Sequence, residues 1–147
     1  MLFRSRPVDA VESYRACLAL LGPFLDSGSS MVGEYIWVQE DMARALASSG
    51  DFAAALDFAN RAVSQSEKRI PASPPSEPYA GGLARAYATL AAVQEKAGDA
   101  GQARLSAERA QKVWKQVHNP GTISIHSGIM TDTEMLLARL NATSPVK

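Results

Sequence analysis

Of the residues that most often carry chemistry, this 147-residue chain has few: one cysteine and two histidines. The single thiol, Cys17, excludes an internal disulfide and a multi-cysteine metal site, and it favours a reducing compartment. On an amphipathic helix at a small-residue position, it reads as a buried packing residue. His118 and His126 lie in or beside the turn "HNPGTISIHSG" with no local Cys, Asp or Glu at ligand spacing, so they read as surface loop histidines and not as a metal pair. Charge of one sign is missing too. Fifteen basic residues offset fifteen acidic ones, which leaves no global field toward nucleic acid, an anionic membrane or an acidic partner. No apolar run approaches the roughly 20 residues that span a bilayer. The N-terminal "MLFRSRPVDAVESYRACLALLGPFL" breaks its apolar residues with Glu12 and Arg15, unlike a secretory signal, so it is expected to belong to the fold of a cytoplasmic protein. No nucleophile elbow, Gly-Lys phosphate loop or kinase catalytic loop is present, and neither a cofactor nor enzymatic activity is expected.

Helical periodicity is what the chain has in quantity. Apolar residues recur at intervals of three and four in Val11, Tyr14, Leu18 and Leu21 (a helix near 8–25), and in Tyr35, Val38, Met42 and Leu46 (31–49). The same spacing marks Phe52, Leu56, Ala59 and Val63 (52–69), then Leu83, Tyr87, Leu90 and Ala91 (80–97), then Ala103, Ala107, Ala110, Val113 and Val117 (100–118). Strand signals are nearly absent, and the brief alternation in "GTISIHSG" (121–128) is read as a loop. "PASPPSEP" (71–78), with four prolines in eight residues, predicts an exposed, stiff connector. A sixth helix is expected at "TDTEMLLARL", where Thr131 and Glu134 have capping-box spacing.

Two stretches echo each other. "GDFAAALDFANRAV" (50–63) and "GDAGQARLSAERAQ" (98–111) both write Gly-Asp, with Ala five and twelve residues after the Gly, at an interval of 48. Glycine closes one helix in the left-handed conformation, and aspartate accepts from the free amides that open the next. So short a connection forces antiparallel neighbours, and each Gly-Asp predicts the bend of a helical hairpin. Alanines along both helices permit close crossings.

With Ala43, Gly50, Asp51, Phe52, Ala55, Ala59 and Ala62 in one hairpin, the chain resembles the tetratricopeptide repeat family. Tyr87, Leu90, Ala91, Gly98, Asp99, Ala103, Ala107 and Ala110 form the second matching set. Ala10, Tyr14 and Cys17 have the spacing of the second half of an earlier unit. The resemblance covers 8–118 and departs from the family in three ways. Its units run 45–48 residues instead of about 34. Glu67 and Lys115 stand where a proline is expected, and Gln39 where a bulky aromatic is usual. It implies an all-α fold of antiparallel helical hairpins stacked as a tetratricopeptide-like α-solenoid of about six helices. As one domain over 1–147, this would comprise a half-repeat helix (8–27), a hairpin (31–69), the connector (71–78), a second hairpin (79–118) and a capping helix (129–141). Long-unit arrays of this style look similar to regulatory tails of bacterial signalling proteins, including those behind Ser/Thr kinase domains.

The resemblance also implies a site. First helices of such hairpins line a concave face where partner peptides lie, which would present Trp37, Glu40, Arg44, Ala47 and Ser48 from one helix. The next would present Arg85, Ala88, Ala92, Glu95 and Lys96. Trp37, Glu40, Arg44, Arg85 and Lys96 are the partner-binding candidates, with Trp37 equally suited to packing against the preceding helix. Chaperone-binding members of the family hold a terminal carboxylate with Lys and Asn, whereas Glu40, Arg44, Ala88 and Ala92 stand at the matching places, so that activity is not expected. The adjacent Glu40 and Asp41 are read as diverging from the helix and sharing no site. The glycines of "YAGGLA" are read as the start of a helix. Trp114 is expected to cover the core beneath the sixth helix. The functional expectation is a protein-interaction scaffold with a protein or peptide partner and no nucleic-acid or membrane partner. The alternative is an assembly module that self-associates, or packs on the rest of a longer protein, through open repeat ends.

Overall fold

The computed structural model describes residues 7–25, 31–70, 77–119, 121–122 and 124–143. Among them are six α-helices and no strand: α1 (Pro7–Leu21), α2 (Met31–Ser49), α3 (Phe52–Arg69), α4 (Glu77–Lys96), α5 (Ala100–Val117) and α6 (Ser127–Ala142), with a 3-10 turn at Gly22–Phe24. Most of the proline-rich connector, 71–76, lies outside the described residues.

The two Gly-Asp bends are the same object built twice. Gly50 and Gly98 sit at φ of 89° and 88°. Gly50 donates to the Ala47 carbonyl and Asp51 to that of Leu46; Gly98 and Asp99 repeat this toward Glu95 and Gln94. This pair of bonds closes a helix whose last carbonyls would otherwise be unpaired. Each aspartate then opens the next helix, its carboxylate accepting from the Ala54 amide at 3.2 Å and from the Gln102 amide at 3.0 Å. Two residues therefore end one helix and start another, which folds α3 back on α2 and α5 back on α4.

Alanine sets how closely the helices approach. Ala43, Ala55, Ala59 and Ala62 are wholly buried where α2 meets α3, as are Ala91, Ala103, Ala107 and Ala110 where α4 meets α5. Larger residues fill the flanks. Ile36, Met42, Leu46, Val63, Leu83, Leu90 and Val93 form one core across α2, α3 and α4. Leu136, Leu137 and Leu140 of α6 close a second over the alanines of α4 and α5.

Each helix packs on its sequence neighbours, and the first helices of successive hairpins also touch, α2 on α4 and α4 on α6. Polar contacts between α2 and α4 run Glu40–Arg85, Arg44–Thr89, Ser48–Lys96. Residue numbers rise together along this series, so α2 and α4 lie parallel with α3 reversed beside them. The all-α array of stacked antiparallel hairpins expected from the sequence is the architecture observed.

Several local expectations need correction. Helix α4 begins at Glu77, inside the segment read as connector, with Pro78 in the first turn, where its missing N–H costs nothing. Gly81 and Gly82 lie within α4, so no helix start follows them. Helix α6 begins at Ser127, before the expected capping box. Thr131 is already helical and its hydroxyl donates to the Ser127 carbonyl at 3.0 Å. Cys17 is exposed. Among the described helices α1 packs only on α2, so Val11 and Tyr14 suffice for the contact and the thiol faces away.

The bends yield a direct test. Gly50→Ala and Gly98→Ala each place a Cβ on a left-handed residue and are expected to cost about 1 kcal/mol, as are Asp51→Ala and Asp99→Ala through the lost caps. Urea denaturation of the four variants measures this, and losses at one bend only would show that the two are not equivalent.

Candidate functional site

The first helices of the hairpins carry a cluster of charged residues around Arg85 of α4. Its guanidinium donates from Nε to Glu40 Oε2, reaches Asp41 Oδ1 at 3.7 Å and lies 4.7 Å from the ring centroid of Trp37. Arg44, one turn along α2 from Glu40, donates to the Thr89 hydroxyl and pairs with Asp41 at 3.5 Å. Glu40 and Asp41 therefore do share a partner, against the sequence expectation. They leave α2 in different directions, but a planar guanidinium has donors enough to reach both.

Glu40 is wholly buried, which removes it as a partner contact. Helix α2 is covered by α1, α3 and α4, so more of its circumference is interior than a single stripe suggests, and Gln39 is buried for the same reason. Of the two carboxylate oxygens of Glu40, Oε2 has Arg85 and Oε1 has no partner among the described residues. Burial pushes this carboxyl up from 4.5 to about 7 against the lowering pull of Arg85 and, more weakly, of Arg44. Burial also draws the Arg44 guanidinium below its ordinary value.

Beside this cluster lies a groove of about 430 Å³. Arg44 comes from α2; Arg85, Ala88, Ala92 and Glu95 from α4; and Ile125, Ile129, Asp132, Thr133, Leu136 and Arg139 from α6 and the turn before it. Four residues assigned to the α4 side of the concave face, Arg85, Ala88, Ala92 and Glu95, thus line one wall, and Arg44 joins them. Lys96 lies outside the lining, at an exposed position where it donates to Ser48 Oγ at 3.1 Å. Trp37 is 38% exposed and lies outside the lining as well, under Arg85.

The sequence reading missed the α6 wall. Arg139 spans back to α4, with both Glu95 oxygens 3.1–3.2 Å from Nη2, and Asp132 acts on Arg44 across the groove. It also misplaced His126, which is buried edge-on between Trp37 and Trp114 at centroid distances of 6.1 and 6.2 Å. His118 stacks flat on Trp114 at 4.2 Å. Trp114 itself is buried among Ala84, Ala88, Ala110 and Met130. Gly81 explains the fit of His126, since a Cβ there would meet its Cδ2 at 2.8 Å. One signal for the charge cluster was present: Glu40–Arg85 and Arg44–Thr89 are both 45 residues apart, close to the 48-residue repeat.

No family model matches the chain, and neither curated proteins nor solved structures yield a match to it. Among the described residues no three His, Cys, Asp or Glu gather as metal ligands would, and no helix is long and apolar enough to cross a membrane.

Two measurements follow. A carboxyl whose folded value lies above its unfolded one adds stability that is full below about pH 4.5 and is lost as pH rises through about 7. Wild type should therefore lose on the order of 3 kcal/mol relative to Glu40→Gln across that window, read by urea denaturation at a series of pH values. A constant difference would show that Glu40 titrates normally. Gly81→Ala should drive His126 from between the indoles and weaken the near-ultraviolet tryptophan circular dichroism while the far-ultraviolet spectrum stays helical. Unchanged tryptophan bands would place the imidazole elsewhere.

Proposed function

We propose that the protein is a non-catalytic interaction scaffold of tetratricopeptide-like build, working in the cytoplasm, which holds an extended peptide or a segment of a partner protein in the groove between α4 and α6. The observation that carries this reading is the groove's composition. Small alanines, Ala88 and Ala92, leave room on one side, Ile125, Ile129 and Leu136 supply apolar contact on the other, and arginines stand at the edge. Ile125, 75% exposed, continues the apolar wall formed by Ile129 and Leu136. The groove walls are mostly helical, α4 being held on α5 by the alanine crossings and α6 by its leucines, so little ordering cost remains to be met on association.

A second reading has its own observation. Leu20 on α1 and Phe24 in the turn after it are exposed, and Met135 is exposed on α6, at the two ends of the described array. Self-association of copies would cover them. Trp114, already buried within one chain, takes no part in it.

Peptides selected from a random library for binding to wild type separate the two readings. They should lose about tenfold or more in affinity against Ala92→Arg, whose side chain fills the groove, and should shift amide resonances of α4 and α6. Equal binding to the variant, or shifts confined to α1, would count against the groove. Sedimentation that is concentration-dependent in wild type and not in Leu20→Glu/Phe24→Glu would favour self-association.

A further inference from the structure

We propose that Glu40 and Arg85 form a proton-operated latch on this groove, and that taking up a proton turns the groove toward an acidic peptide segment. The inference rests on the groove reading for its partner and on the geometry of α2 and α4 for its mechanism. Arg85 belongs to both parts, since it lines the groove and donates to the buried Glu40. Glu40 is in turn poorly provided for as an anion. It is wholly buried, it has a single guanidinium partner, and Oε1 has no partner among the described residues. A carboxylate in that setting favours a proton well above its ordinary range, here at about 7.

The surroundings determine what protonation does. On α2, Asp41 and Arg44 act on Glu40, and on α4 Arg85 does. Helix α1 brings Tyr14 alongside Asp41 and Arg44. Helix α3 faces α2 with the apolar Ala55, Ala59, Ala62 and Val63. Asp132 of α6 acts on Arg44, and His126 meets the edge of Trp37. Asp41 is already engaged by Arg44, so Glu40 is the principal counter-charge of Arg85.

When Glu40 takes a proton from solvent it becomes a neutral acid, while Arg85 keeps its charge and all its protons. The pull toward the interior weakens, and the guanidinium slides along the Trp37 face with its charge available to the groove. Of the charged groups lining the groove, Arg44, Arg85 and Arg139 then outnumber Glu95 and Asp132 without the buried carboxylate to offset them. An anionic segment fits that state. By linkage, binding it takes up a proton, and affinity rises as pH falls.

Carbon-13 NMR of the wild-type side-chain carboxyls, together with the Arg85 Nε–H resonance, tests the latch without any partner. The Glu40 Cδ should titrate with a midpoint near 7, and the Arg85 signal should move at the same midpoint. The same titration in His126→Gln separates this from imidazole ionisation beside Trp37. A Glu40 midpoint in the ordinary carboxylate range, or an Arg85 signal that does not follow it, overturns the latch. Hexa-aspartate supplies the second arm. Its affinity should rise about tenfold between about pH 8 and about pH 6 in wild type, and should stay at the tighter value at both in Glu40→Gln. A peptide that binds at neither pH while the NMR midpoint stands overturns the acidic partner and the groove reading, and leaves the latch. Binding with the same pH dependence in Glu40→Gln overturns the coupling between them.

Discussion

A helix that stops leaves its last carbonyls without donors, and one that starts leaves its first amides without acceptors. The rest of the structure depends on meeting both demands with two residues. Gly50 and Gly98 take the left-handed conformation that turns backbone amides onto the outgoing carbonyls, and Asp51 and Asp99 hold the incoming amides. Because the bend is so short, the paired helices have no freedom to splay, and their facing residues come into contact along their length. Repetition of the bend at an interval of 48 gives α2 and α4 the same role in successive hairpins.

From that close pairing comes the need for alanine, and from alanine comes the burial of charge. Helices separated by methyl groups pack nearer than helices separated by leucines, so α2 becomes an interior element with neighbours on several sides. Glu40 is enclosed as a result, and its carboxylate is stabilised chiefly by the guanidinium that α4 delivers to it, with a weaker pull from Arg44. Breaking a buried pair of this kind leaves an uncompensated charge, so the pair also fixes how α4 registers against α2. The polar contacts Arg44–Thr89 and Ser48–Lys96 extend the same register along both helices.

The parts of the fold legible in the sequence are those set by local chemistry. Helix α3 occupies the expected 52–69, and α2 the expected 31–49, because caps and apolar spacing act within a few residues. Arg44, Arg85, Ala88, Ala92 and Glu95, which the tetratricopeptide resemblance assigns to a concave face, line the groove. The failures have a common cause. Glu40, His126 and Cys17 were judged from the stripe or loop that each occupies, but burial is decided by how many other elements come near. Three helices cover α2, two indoles and a glycine cover His126, and nothing among the described residues encloses the Cys17 side of α1.

By itself, the sequence determined that the chain is helical, where its hairpins bend and which faces hold small residues, since propensity, capping and periodicity all operate over one or two turns. Only the tertiary structure decided that Glu40 meets Arg85 over a gap of 45 residues, that α6 supplies the far wall of the groove, and that a histidine from a turn lies between two tryptophans. Such contacts depend on the angle and depth at which whole helices cross. Those are collective properties of the packed array, and no short stretch of residues encodes them.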